Sequence, residues 1–67
     1  MNSKIFAERL RKAREEKEIS QKTLGIRVGL SDKSISMYEN GTMYPPVSNL
    51  LKIASELDKD ISYFLDD

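Results

Sequence analysis

Residues 21–40, which read QKTLGIRVGLSDKSISMYEN, decide the fold of this chain. They contain two short helical patterns in succession. Leu24 and Val28 are four residues apart and therefore face the same side of one helix. Ile35 and Tyr38 are three residues apart and repeat this pattern in a second helix. The stretch predicts two short helices, each of which buries one face.

Serine and glycine residues mark the limits of these two helices. Ser20 and Ser31 precede them, and serine is a preferred N-cap because its hydroxyl accepts a hydrogen bond from a free N–H of the first turn. Gly29 ends the earlier helix, and the small Gly25 lies where the two helices approach each other. A connection this short makes the helices cross steeply instead of folding back as a hairpin. The stretch therefore predicts a helix-turn-helix.

Helical patterns also flank this stretch on both sides. One covers residues 3–17, and another covers residues 46–57 and opens with a proline, which is tolerated at the first helical position. Asn40 and Gly41 end the third helix, which carries Ile35 and Tyr38, because both residue types tolerate left-handed backbone. Asp60 is placed to cap a last short helix, which brings the predicted all-α fold to five helices. The first helix has an apolar stripe of Phe6, Leu10 and Ala13, and the fifth carries Ile61, Phe64 and Leu65. The fourth helix has a broad apolar face, which we expect at the centre of the core: Val47, Leu50, Leu51, Ile53, Ala54 and Leu57.

The size and composition of the chain limit the functions it can have. It has 67 residues, 39% of them apolar, with no cysteine and no histidine. Such a chain supports one small core, so we predict a single domain over residues 1–67 that is not an enzyme and needs no cofactor. The missing residue types exclude a disulfide and a structural zinc. No apolar run reaches the roughly 18 residues of a membrane span, so we expect a cytoplasmic protein.

The charges balance in number but not in position. The chain has eleven basic and eleven acidic residues. Residues 1–33 contain nine basic and five acidic side chains, whereas residues 34–67 contain two basic and six acidic ones. This polarity gives the first half of the chain a surface that can approach a polyanion. The alternative is two solvated surfaces that happen to differ.

Residues in several segments of the chain match the motif of one known family, and the numbers of residues between them also match. The matching residues are Leu10, Arg14, Ser20, Gln21, Leu24, Val28, Gly29, Ser31, Ser34, Ile35, Ser36, Glu39, Asn40, Gly41, Pro45, Leu50, Leu51, Lys52, Ile53, Ala54 and Leu57. In these residues the sequence resembles the lambda-repressor/Cro family of bacterial and phage helix-turn-helix regulators, also called Xre-type or Cro/C1-type. The resemblance covers nearly the whole chain without a gap. It implies a compact lambda-repressor-like domain that binds double-stranded DNA, with the helix-turn-helix formed by the second and third helices.

Three residues depart from the pattern of this family. Glu18 stands where the family usually has glycine, so either it adopts a left-handed backbone at a cost of about 1–2 kcal/mol or the first helix ends differently. Gly25 replaces the usual alanine, which keeps the close helix contact but weakens the second helix by up to about 1 kcal/mol. Lys59 occupies a position that is commonly apolar.

The resemblance implies that the third helix enters the major groove with its N-terminus first. The residues nearest the bases are then Asp32, Lys33, Ser36 and Met37. Lys33 can donate to guanine, Met37 can pack against a thymine methyl group, and Ser36 can donate or accept. Asp32 either accepts from cytosine or only stabilises the N-terminus of the helix. For Met37 the alternative is a gap-filling role at the edge of the core or of a dimer.

Contacts to DNA phosphates are expected at two places. One is the start of the second helix, where unpaired amides lie at the positive end of the helix dipole. The other is the segment after the third helix, where amides and hydroxyls would follow the backbone, and serines near the third helix add hydroxyl contacts. The candidate residues are Ser20, Gln21, Lys22, Ser31, Ser34, Asn40, Thr42 and Tyr44.

Among the remaining charged residues, the resemblance singles out one pair. Arg14 and Glu39 match a pair that bridges the first helix to the end of the third in this family. We expect a structural role for the pair, with a phosphate contact by Arg14 as the alternative. Four other basic residues are expected to be solvated surface, namely Lys4, Arg11, Lys12 and Lys17.

A third helix this short can contact only a few base pairs. Useful specificity therefore needs two copies on a palindromic site, and we expect a homodimeric repressor without a small-molecule ligand. The candidate dimer contacts are Met43, Tyr44, Tyr63, Phe64 and Leu65. For Phe64 and Leu65 the alternative is a place in the core.

Two other functions remain open at this point. One is an antitoxin-like subunit that captures a toxin or another regulator, with DNA binding secondary. The other is a regulator of restriction-modification genes, which is the same biochemistry in a different setting.

Overall fold

The computed structural model describes residues 3–65, a range that holds four α-helices and one 3₁₀ helix and no strand. The all-helical prediction is confirmed. The elements are α1 (Ser3–Glu16), α2 (Gln21–Val28), α3 (Asp32–Glu39), α4 (Val47–Glu56) and the 3₁₀ helix (Ile61–Tyr63). The first two and last two residues of the predicted domain lie outside the described range.

The prediction of a fifth α-helix is wrong, because the last element is a single 3₁₀ turn. Asp60 caps this turn as expected, and its carboxylate accepts from the Ser62 N–H at 2.9 Å. Phe64 ends the turn and is buried. Between the cap and this anchor there are too few residues for the hydrogen bonds that would offset the cost of starting an α-helix.

The predicted starts of α2 and α3 are confirmed by their capping bonds. The Ser20 hydroxyl accepts from the Thr23 N–H, and the Ser31 hydroxyl accepts from the Ser34 N–H, both at 3.0 Å. Gly29 ends α2 with a φ of 74°, in the left-handed region that glycine adopts without strain. These caps fix both helix boundaries from local sequence alone.

The fourth helix begins one residue later than predicted. Pro46 takes the N-cap position and Val47 is the first helical residue. Proline has no side-chain acceptor, so α4 lacks the side-chain capping bond that α2 and α3 have.

One apolar core joins the helices. Its fully buried side chains are Phe6, Leu10, Leu24, Ile35, Leu50, Ile53, Leu57 and Phe64. Phe6 is the centre of an aromatic cluster, with ring centroids 4.9 Å from Tyr44, 5.8 Å from Phe64 and 6.4 Å from Tyr38. Every helix contributes to this core, so α2 and α3 are held in a fixed orientation.

Within residues 3–65, two residues other than glycine adopt left-handed backbone, one after α1 and one after α4. They are Glu18, with a φ of 58°, and Asp58, with a φ of 56°. Of the two possibilities for Glu18, the structure shows the strained one. The two helix ends are joined by an ion pair between Lys17 and Asp58.

Lys59, which departs from the family pattern, makes an ion pair and a cation–π contact at a position that is commonly apolar. Its ammonium lies 3.1 Å from a carboxylate oxygen of Glu16 and 4.7 Å from the centroid of the Tyr63 ring. It thereby ties the segment after α4 to the end of α1.

Candidate nucleic-acid interface

The close approach of α2 and α3 depends on Gly25. The Gly25 carbonyl accepts from the Leu30 N–H at 2.7 Å, which brings the turn back against α2. A Cβ added at Gly25 would lie 2.8 Å from the Leu30 carbonyl oxygen and 3.1 Å from the Ser31 carbonyl carbon. Both neighbours are backbone atoms, so the alanine that is usual in the family would force the turn to move. Glycine at this position lets the turn pack closely against α2 without such a shift.

The inner and outer faces of α3 differ sharply. Ile35, Tyr38 and Glu39 are buried against the rest of the domain. The four candidate base contacts lie outside this buried face: Asp32 and Lys33 are exposed, and Ser36 and Met37 are partly exposed. The structure thus places these four residues together on the solvent side of α3.

The two helix starts carry matching hydroxyl pairs. Ser20 donates to the Thr23 hydroxyl and Ser31 donates to the Ser34 hydroxyl, each at 3.0 Å. The hydroxyls of Ser20 and Ser31 thus each accept one hydrogen bond from a backbone N–H and donate one to a neighbouring hydroxyl. The first N–H groups of a helix have no acceptor within it. In α2 the N–H of Thr23 is taken by the Ser20 hydroxyl, so the amides left for an acceptor outside the helix are those of Gln21 and Lys22. Lys22 is exposed beside them.

The segment after α3 corrects one expectation. The N–H of Asn40 donates to the Ser36 carbonyl at 2.9 Å, and the N–H of Thr42 donates to the Met37 carbonyl at 3.1 Å. The Met43 N–H shares that Met37 carbonyl at 3.3 Å. These amides hold the turn together, so contacts from this segment to a phosphate would come from the exposed side chains of Asn40 and Thr42 instead.

A buried carboxylate connects three helices behind the start of α2. The Glu39 side chain has no exposed surface. Arg14 donates to it twice, from Nε to Oε2 at 2.6 Å and from Nη2 to Oε1 at 3.0 Å. The third nitrogen of Arg14 donates to the Ile19 carbonyl at 2.8 Å, and Gln21 Nε2 donates to Glu39 Oε1 at 3.1 Å. The pair that the resemblance singled out is thus the centre of a larger network.

The network shifts the pKa of both its charged groups. Burial raises the pKa of Glu39, but hydrogen bonds from Arg14 and Gln21 lower it by more, so the pKa lies below its ordinary value. The hydrogen bond to Glu39 raises the pKa of Arg14. Both groups are therefore charged at neutral pH.

Arg11 belongs to this network, although the sequence predicted solvated surface for it. Its Nε lies 3.5 Å from Glu39 Oε1, the same oxygen that Gln21 binds, and half of its side chain is exposed. The guanidinium therefore lies next to the first residue of α2. The signal that could have found it is the spacing of three residues between Arg11 and Arg14, which puts both on one face of α1.

The five predicted dimer residues do not form one exposed patch. Phe64 is 1% exposed and lies in the core, as the alternative had it. Tyr44 is partly buried against Phe6, which raises the pKa of its hydroxyl, and Leu65 is partly buried against the core. Tyr63 is flanked by two cationic side chains. Met43 alone among the five is exposed.

None of the helices within residues 3–65 is both long enough and apolar enough to cross a membrane.

Comparison with known proteins points to one family. A family model described as a helix-turn-helix domain matches residues 7–67. An uncharacterized HTH-type transcriptional regulator of Sinorhizobium fredii is 43% identical over 56 residues, which is 84% of this chain and 29% of that protein. The repressor protein C2 of Salmonella phage P22 is 35% identical over 65 residues, which is 97% of this chain and 30% of the repressor. The chain thus spans about three tenths of the length of these two relatives.

Solved structures of two such proteins have the same fold. The restriction-modification controller protein C.AhdI from Aeromonas hydrophila has a TM-score of 0.88 at 32% identity, covering 94% of this chain and 91% of that one. The P22 c2 repressor in complex with a synthetic operator has a TM-score of 0.85 at 34% identity, covering 88% of this chain and 89% of that one.

Proposed function

This chain belongs to the helix-turn-helix family of transcriptional regulators, of the Xre or Cro/C1 type, and from that membership we propose that it is a repressor that binds a palindromic operator as a homodimer. One observation carries the proposal. The solvent side of α3 presents Asp32, Lys33, Ser36 and Met37 together, while the opposite side is fixed in the core. A short helix held in this way can enter the major groove without bending.

Base recognition rests on the chemistry of these four side chains. The ammonium of Lys33 donates to guanine O6 and N7, the Met37 side chain packs against a thymine methyl group, and Ser36 donates or accepts. Asp32 is the first residue of α3, so its carboxylate both lies nearest the groove and stabilises the helix dipole. The base contact that fits the Asp32 carboxylate is a hydrogen bond that it accepts from cytosine N4.

Phosphate contacts position α3 in the groove. The start of α2 offers the N–H groups of Gln21 and Lys22 and the ammonium of Lys22. Gln21 and Arg11 are held beside them by Glu39, and Arg11 has the exposed charge to reach a phosphate. On the other side of α3, the side chains of Asn40, Thr42 and Tyr44 and the hydroxyl of Ser34 complete the set. The relatives are named as transcriptional regulators and repressors, which favours this function over capture of a toxin.

Selection of duplexes from a random pool tests the proposal. At about 100 mM salt we expect a consensus with two-fold symmetry, its half-sites about one helical turn apart. The slope of log affinity against log salt should be modest, because few phosphates are contacted per subunit. Recovery of no consensus would show that the chain does not bind DNA with sequence specificity. A consensus without symmetry would contradict the palindromic operator alone.

A further inference from the structure

The sulfur atoms of the described residues lie in one short segment. The chain has no cysteine and three methionines. Within residues 3–65 the methionines are Met37, in the second half of α3, and Met43, in the segment that follows it. Met43 is 37% exposed, Met37 is partly exposed, and the Met37 carbonyl accepts from the Met43 N–H at 3.3 Å. Both thioethers therefore belong to the surface around the end of α3.

Neither of these methionines belongs to the apolar core. In residues 3–65 the buried core cluster contains no methionine, and neither do the partly buried apolar side chains packed against it. Methionine often fills gaps inside a core, where a change in its polarity disturbs packing. Here a chemical change at sulfur leaves the packing between the helices intact. Its effect falls on the surface around the end of α3.

The position of Met37 gives its sulfur a place in the proposed contact with DNA. Met37 lies on the solvent side of α3, one helical turn after Lys33. It is the only apolar side chain among the four proposed base contacts, the others being Asp32, Lys33 and Ser36. A thioether packs well on a thymine methyl group because both are apolar and neither requires a hydrogen bond. Met43 is not among the proposed base contacts.

We propose that Met37 is an oxidation site through which peroxides release the protein from its operator. This inference rests on the proposed function. The sulfur of Met37 attacks one oxygen of the peroxide, so that an S–O bond forms and the O–O bond breaks. The sulfur is oxidised to the sulfoxide, and the reduced second oxygen takes the proton of the attacked one and departs in water or an alcohol. Methionine sulfoxide reductases reverse this oxidation, so the contact with DNA can be restored.

The sulfoxide cannot make the contact that the thioether makes. Its oxygen is a hydrogen-bond acceptor, and a thymine methyl group offers it no donor. Formation of the contact would remove water from this oxygen without providing a new hydrogen bond, which weakens binding. We therefore expect oxidation of Met37 to lower the affinity for the operator by about tenfold.

Binding before and after peroxide treatment is the first test. The chain is treated with hydrogen peroxide, and the sulfoxide at each methionine is quantified by tandem mass spectrometry, with Met1 counted separately. Affinity for the consensus duplex recovered by selection is then measured, and circular dichroism monitors the fold. We expect sulfoxide at Met37, an unchanged helical spectrum and an affinity lower by about tenfold. Methionine sulfoxide reductases with dithiothreitol should return the affinity to its starting value.

Two matched variants assign the effect to one sulfur atom. Leucine is close to methionine in volume and carries no sulfur, so Met37→Leu and Met43→Leu each remove one oxidation site. The measured quantity is the ratio of the affinities of the same variant before and after peroxide, so that any change in its starting affinity cancels. We expect a ratio of about one for Met37→Leu and about ten for Met43→Leu.

Replacement of single thymines tests the contact itself. In a series of duplexes, each thymine of the consensus is replaced in turn by deoxyuridine, which lacks only the C5 methyl group. At one position of each half-site we expect the substitution to weaken binding by the untreated chain and to reduce the further loss caused by peroxide. At the other positions the loss caused by peroxide should stay at about tenfold.

Several results would overturn the inference. They are absence of sulfoxide at Met37 when Met43 is oxidised, loss of the helical spectrum on oxidation, a peroxide effect that survives in Met37→Leu, and an equal peroxide effect on every duplex of the thymine series. If the untreated chain binds its duplex and peroxide leaves that affinity unchanged, the inference is wrong and the proposed function stands. If the untreated chain selects no duplex, the proposed function is refuted and the inference falls with it.

Discussion

Replacement of Glu39 by glutamine tests the buried network most sharply. The substitution keeps the size of the side chain and removes its charge. Arg14, whose side chain is only 13% exposed, would then be left without its counter-ion, and one of the new amide hydrogens would face a guanidinium donor. Removing one partner of a buried ion pair costs about 3–5 kcal/mol. Because Arg14 retains some contact with water, we expect a loss near the lower limit, about 3 kcal/mol.

A loss of this size is large for so small a domain. A chain of 67 residues has a free energy of unfolding of about 3–10 kcal/mol. Glu39→Gln should therefore lower Tm by roughly 15 °C, and the urea midpoint should fall in proportion. Circular dichroism of urea and thermal unfolding at pH 7 measures both.

A double-mutant cycle separates the ion pair from simple loss of packing. The cycle consists of Arg14→Met, Glu39→Leu and the variant with both; because no buried charge is left alone in the double variant, we expect its loss to be at most half the sum of the two single losses. If Glu39→Gln costs less than about 1 kcal/mol, or if the double variant is as unstable as the sum of the single ones, the network does not hold the three helices together.

Three further predictions concern the backbone and the pH dependence of stability. Glu18→Gly should raise the free energy of unfolding by about 0.5–1 kcal/mol in urea titrations, because glycine removes the strain at a φ of 58°; Asp58→Gly is the control and should gain less, since it also loses the ion pair with Lys17. Gly25→Ala should lower the free energy of unfolding by about 1 kcal/mol, because the contact of the new Cβ with the backbone of Leu30 and Ser31 outweighs the gain in helix propensity. It should also shift the amide signals of Leu30 and Ser31 in ¹H–¹⁵N spectra. A variant more stable than the wild type would show that the turn moves at no cost. The folded-state pKa of Glu39 is below its unfolded value, so the stability that its charge contributes is present at neutral pH and is lost as pH falls through the folded pKa. Urea unfolding measured from pH 7 down to about pH 3 should therefore show the free energy of unfolding falling more steeply in acid for the wild type than for Glu39→Gln. Equal slopes of this free energy against pH would contradict the assignment.

Local signals account for what the sequence predicted correctly. Ser20, Ser31 and Gly29 fix the ends of α2 and α3 through bonds that span three or four residues, so they can be found without tertiary information. For Glu18 the sequence left two possibilities open, and the structure shows which of them holds, the left-handed backbone.

Contacts between distant segments account for what it missed. Arg11 and Gln21 meet at Glu39 across separations of 28 and 18 residues. The spacing of Arg11 and Arg14 puts both on one face of α1, but it does not by itself bring Gln21 to the same carboxylate. The packing of Phe64 on Phe6 likewise decides that Phe64 lies in the core and that the last element is a single turn. The exposure of Val47 depends on how α4 is rotated against the core, whereas the sequence grouped it with the buried residues of that helix.

The proposed role of α3 is tested most directly by measuring two lysine variants against every single-base change in the selected consensus. Lys33→Ala should lose discrimination at one base pair of each half-site, by about 1–3 kcal/mol, and keep it elsewhere. Lys22→Ala should weaken binding to all duplexes alike and reduce the salt slope by about one. If Lys33→Ala instead weakens every duplex equally, Lys33 contacts only the DNA backbone, and the assignment of base recognition to the outer face of α3 is contradicted.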